Sequence, residues 1–154
     1  MTKAKTTENE YTIAEAYRYL ANAKETLSKS PIEYSRYSDS KYVREAAGMV
    51  YLAALKALDA YLISTGIERG KLPKSIDGYW EIIRRKIPLN GKLTAALNTV
   101  YENMHVFAYY RGGVDLALVK SGFENARKVI EMMDKLMVRT ANQNSVSEAK
   151  ASYK

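Results

Sequence analysis

The chain has 154 residues, 47% of them hydrophobic and 27% charged, with 24 Lys and Arg against 17 Asp and Glu for a formal net charge of +7. That is the size and composition of one globular domain. It has no cysteine and one histidine, which excludes disulfides, a thiol nucleophile, thiolate metal sites and any constellation of two or three imidazoles.

No DxD pattern offers a carboxylate metal site, so neither metal nor cofactor is expected. The opening MTKAKTTENE is polar and lacks the apolar core of a signal peptide, which points to the cytoplasm. Residues 1–10 read as a flexible N-terminus.

In TIAEAYRYLANAKETLSK, Ile13, Ala16, Leu20, Ala23 and Leu27 step by three and four, one stripe of a first helix. Pro31 and the polar SRYSDS stretch end it. Asp39 or Ser40 caps a second helix that runs to about Ser64 and stops at Gly66. This helix contains the most apolar run, AAGMVYLAALKALDAYLI, with Lys56 and Asp59 well inside it. Each charge would cost about 3 kcal/mol near a bilayer centre, so the run reads as the central helix of a bundle and no membrane contact is expected. Lys56 and Asp59 are spaced to pair with each other, and Asp59 is expected to anchor a buried polar network with Tyr101, His105 or Arg111.

Ser75 caps a short third helix, IDGYWEIIRRK, whose carboxyl end carries Arg84, Arg85 and Lys86. Cations there suit the helix macrodipole. Residues 69–92 hold seven cations against Asp77 and Glu81, with Tyr79 and Trp80 interleaved. Cations beside exposed aromatics suit an RNA backbone with unstacked bases, or a nucleotide.

Pro88 closes the third helix and Asn90 opens the fourth, with Leu93, Leu97, Val100, Met104 and Phe107 as its core seam. At about 100° per residue, His105 lies roughly 120° from that seam, at the edge of the core. Two readings stand there: a structural, hydrogen-bonded histidine, or a general acid or base. Tyr101 and Tyr109 share its flank. Tyr109, Tyr110 and Arg111 precede two glycines, which suits either a binding hot spot or a glycine-capped helix end.

In the last segment, Leu116, Val119, Phe123, Ala126, Ile130, Met133 and Met137 keep one phase, while Ser121 and Glu124 read as a capping box. Either one long helix with a weak point at Gly122 or two helices satisfy this. Residues 139–154 read as a disordered tail. The expected fold is an all-α five-helix bundle over residues 11–138.

The crowded helix YVREAAGMVYLAALKALDAYL, the later histidine helix and the closing SGFENARKVIEMMDKL resemble the HEPN group of small helical domains. The resemblance is closer still to an uncharacterised bacterial family of short stand-alone HEPN-like proteins. It implies a helical bundle, homodimerisation and, in many members, metal-independent RNA cleavage through an Arg-x4-6-His motif. Carried onto His105, that motif requires an arginine at 98, 99 or 100, where this chain has Asn98, Thr99 and Val100. The expectation is therefore a non-enzymatic, homodimeric binding protein with RNA or nucleotide as candidate ligand. The alternatives are a degenerate HEPN-type ribonuclease using His105, and the helical subunit of a complex with a protein partner, of the toxin–antitoxin or nucleotidyltransferase kind.

Overall fold

The computed structural model describes the backbone of residues 10–152 and the side chains of residues 10–144. The segment expected to be a flexible N-terminus lies outside the described residues, apart from Glu10.

Five helices form the bundle. The Thr12 hydroxyl accepts from Glu15 N–H and starts α1 (Ile13–Leu27), which buries Ala16, Leu20 and Ala23. Asp39, as expected, caps α2 (Ser40–Ser64) by accepting from Lys41 N–H at 3.1 Å. Its buried Ala46, Ala47, Ala53, Ala54, Ala57 and Ala60 give neighbours room for close approach. A helix with so many small buried residues packs on several sides: α1, the fourth helix and the last helix all lie against it. By length and apolarity α2 would span a membrane, but 56% of its most apolar window is buried in the fold.

Ser75 caps α3 (Ile76–Lys86) by accepting from Gly78 N–H. Asn90 precedes α4 (Gly91–Val100), but its side chain does not cap it. Its amide donates to the carbonyl of Ile87 at 2.9 Å and, at 3.4 Å, to that of Ile83, closing the end of α3 instead.

Three features depart from the sequence reading. First, the stretch after Pro31 is not wholly irregular. It forms a small antiparallel hairpin, β1 (Ile32–Glu33) with β2 (Arg36–Tyr37), turning through Tyr34 and Ser35 at φ 52° and 61°. Two central residues in the left-handed region fit the tight turn that matches strand twist. The hairpin is also tied to the start of the last helix, Tyr37 N–H to Val114 O and Leu116 N–H to Ser35 O.

Second, α4 passes directly into a ten-residue π-helix, Tyr101–Tyr110. Its five-residue hydrogen-bond spacing is visible where Arg111 N–H donates to Val106 O at 3.0 Å. Third, α5 (Leu116–Ser152) is one unbroken helix. Gly122 is no weak point: it is buried beneath Met104 of the π-helix, whose Cε lies 2.5 Å from where a Cβ would be. The backbone also stays helical through residues 140–152, across most of the segment expected to be a disordered tail. That segment has no proline or glycine to stop a helix, although it also has no apolar stripe.

Candidate binding site

The π-helix carries the flank on which Tyr101, His105 and Tyr109 were expected together. It turns through less angle per residue than an α-helix, so positions four apart line up rather than drift. Met104 and Ala108 are buried on one side, following Val100. Tyr101, His105 and Tyr109 form the adjacent row. Their rings make a ladder: Tyr101 to His105 at 5.5 Å and 28°, His105 to Tyr109 at 6.0 Å and 17°.

Helix α2 supplies the other side of that ladder. Tyr51 stacks on His105 at 4.5 Å and 26°, and meets Tyr101 at 6.1 Å and 53°. One turn earlier Gly48 leaves room for the Tyr109 ring, which lies 3.4 Å from where a Cβ would stand. A further turn back, Arg44 Nη1 donates to Tyr109 O at 3.4 Å, reaching the open carbonyl end of the π-helix. Gly112 lies beneath the mobile end of that exposed side chain, but its φ of +74° is what favours glycine. Gly113 is covered by the Phe107 ring. The two glycines thus serve a left-handed turn and a close contact at the helix end.

His105 is therefore held by rings. No hydrogen bond to its imidazole is made among the described residues, so the expected hydrogen-bonded histidine is not what forms. A general base would need a positioned proton partner. Arg111 caps the π-helix with its backbone, is exposed, and forms no ion pair among the described residues.

The expected network around Asp59 is also rearranged. Its carboxylate accepts from Tyr79 Oη of α3 at 2.8 Å, rather than meeting Tyr101, His105 or Arg111. Burial holds the Asp59 carboxyl above its usual range, with Tyr79 and then Lys56 opposing the shift. Burial, reinforced by the Asp59 charge, pushes the Tyr79 phenol up as well, so it stays a donor. Lys56 makes no direct ion pair with Asp59. It points to α1, its Nζ 4.7 Å from the centre of the Tyr19 ring and 4.0 Å from Glu10 Oε1.

The basic segment is exposed at Arg84, Arg85, Lys86 and Lys92, with Arg85 3.9 Å from Glu81. Its aromatics are not exposed beside these cations as expected. Tyr79 is buried on Asp59 and Trp80 packs partly buried against the core. No ring contact, hydrogen bond or ion pair joins Arg84–Lys86 to the His105 ladder among the described residues.

The elements that carry the ladder also expose large apolar and aromatic side chains. Leu52 is 48% exposed on α2, and Tyr109 and Tyr110 are 48% and 74% exposed. Tyr51, Tyr101, His105 and Val106 are half-buried beside them. Gly48 was legible as one of the small residues of α2 that admit a neighbour, whereas Arg44, Tyr51 and Leu52 escaped the sequence reading.

A family model described as a domain of unknown function, DUF5618, matches residues 11–135. Among solved structures, a protein of unknown function from Dyadobacter fermentans is 34% identical, covering 80% of this chain and 94% of its own, with a TM-score of 0.69. Comparison with curated proteins gives no match. These matches bear on the expected uncharacterised family and not on the HEPN group.

Proposed function

The chain belongs to the DUF5618 family, and on that premise we propose that it is a non-enzymatic binding module that works as a homodimer joined through the α2/π-helix face. The carrying observation is that the two helices joined by the ladder both expose large apolar side chains, Leu52 one turn beyond Gly48 on α2 and Tyr109 and Tyr110 at the end of the π-helix. Tyrosine and arginine are enriched at protein interfaces, whereas a lone bundle has no use for such a patch.

The charges around the patch favour a second copy as its occupant. Arg44 and Glu45 are exposed on α2, and Glu102 and Arg111 at the two ends of the π-helix. A two-fold axis brings the same surface against itself in reverse, so a face carrying both signs can satisfy its own charges. His105 in this reading is a ring that orders the face. That its imidazole has no hydrogen-bonded partner among the described residues supports that role over acid–base chemistry.

The test is oligomeric state by light scattering, for the wild-type chain and for Leu52→Glu and Tyr110→Glu. Dimers dispersed by either substitution support the reading, and dimers indifferent to both place the interface elsewhere.

RNA is the second reading, favoured by the exposed Arg84, Arg85, Lys86 and Lys92. Without exposed aromatics among them, phosphate contact alone would carry it.

A further inference from the structure

A cleft of about 370 Å³ opens between α1, the hairpin and α5, away from the ladder. We propose that it is a binding site for a small anionic amphiphile, an apolar body carrying one carboxylate or phosphate head. Its volume falls in the roughly 300–1,000 Å³ range of small-molecule clefts.

Three observations carry the assignment. Leu27 of α1, Ile32 of β1 and Phe123 of α5 line the cleft with apolar surface, which suits an apolar body. Lys24, Lys120 and Arg127 stand around it against one acid, Glu124, and none of the three cations is ion-paired among the described residues. The third is Tyr37, only 6% exposed, whose hydroxyl makes no hydrogen bond among the described residues. Since no buried polar side-chain atom there is both sealed and unpartnered, this phenol is open to the cleft. A phenol is protonated at neutral pH, and burial shifts it further that way, so it is a donor. A donor that faces the cleft without a protein acceptor, beside three cations and one acid, is matched by an anionic head.

The hairpin forms one wall of the cleft. Ile32 and Tyr37 are register partners across it, and the tie from Tyr37 N–H to Val114 O fixes the strand against the start of α5. The cleft thus has a preformed shape, although its chemistry comes from three separate elements.

The test uses the full chain and four probes of one chain length, each below its micelle concentration: octanoate, octyl phosphate, octylamine and octanol. Amide chemical shifts locate binding and titration gives Kd. At least one of the two anions should bind below about 1 mM, moving residues 24–37 and 120–127, with octylamine at least tenfold weaker. Tyr37→Phe should weaken the anion about tenfold, the effect of losing one hydrogen bond to a charged group. Ile32→Trp, at a half-exposed position that tolerates bulk, should block it. Equal affinity for the amine or alcohol would overturn the proposal. So would binding that both substitutions leave unchanged, or no shifts in these segments with either anion at 1 mM.

Discussion

The Tyr51 ring on α2 and the His105 ring on the π-helix lie 4.5 Å apart and 26° from parallel, so the only histidine of the chain is sandwiched among tyrosines. If the ring and not its proton matters, His105→Phe should keep the stack. We expect it within about 1 kcal/mol of wild type, and His105→Ala destabilised by about 1–2 kcal/mol. Chemical denaturation measures both. Equal losses in the two variants would show that the imidazole nitrogens matter more than the stacking.

A second pair joins the π-helix to α5. Met104 is fully buried over Gly122, at the distance where an added Cβ would meet Met104 Cε at 2.5 Å and Cγ at 2.7 Å. Alanine ordinarily favours a helix over glycine by about 1 kcal/mol. Here Gly122→Ala should instead destabilise, by about 1–3 kcal/mol, because the core has no slack. Shortening the partner, in Gly122→Ala with Met104→Ala, should cost less than the sum of the single changes. Thermal melts of the four proteins form the cycle.

Asp59 and Tyr79 make stability depend on pH. Burial raises the folded-state carboxyl above its ordinary value, so the folded chain holds that proton more tightly than the unfolded chain does. The stabilisation is complete below the ordinary carboxylate range and is lost as pH rises through the raised value. Asp59→Asn never ionises, so it should gain on wild type as pH rises from about 4 to about 7. Tyr79→Phe leaves the carboxylate without its donor and should cost about 1–3 kcal/mol at neutral pH. Melting temperatures across that range check both signs.

Much of this was legible in the sequence. The three-four stripe of Ile13, Ala16, Leu20, Ala23 and Leu27, the caps at Asp39 and Ser75, and the common phase of α5 located the helices, because each depends on local spacing. The contacts of Asp59 and Lys56 were not legible, since spacing says that a buried charge needs a partner but not which helix supplies it. The angular argument placed His105 at the core edge on one flank with Tyr101 and Tyr109, as found. The π-helix that carries the row was not legible, because a wider turn leaves no mark in an apolar pattern. The hairpin was missed because two-residue strands are too short to show alternation.

For RNA, phosphate contact from exposed cations should give weak binding of a single strand, falling by roughly 0.7 log units per log unit of salt for each contact. Changing Arg84, Arg85 and Lys86 together to alanine should lower that slope by roughly two. Filter binding across a salt series measures it, and an unchanged slope would remove the patch from consideration. No RNA cleavage that His105→Ala abolishes is expected.

The most direct measurement is the mass of the chain in solution by sedimentation equilibrium at high micromolar concentration. A homodimer through the α2/π-helix face gives twice the 17.4 kDa of one chain, returning toward 17.4 kDa in Leu52→Glu and Tyr110→Glu. A wild-type mass of 17.4 kDa at that concentration would contradict the account.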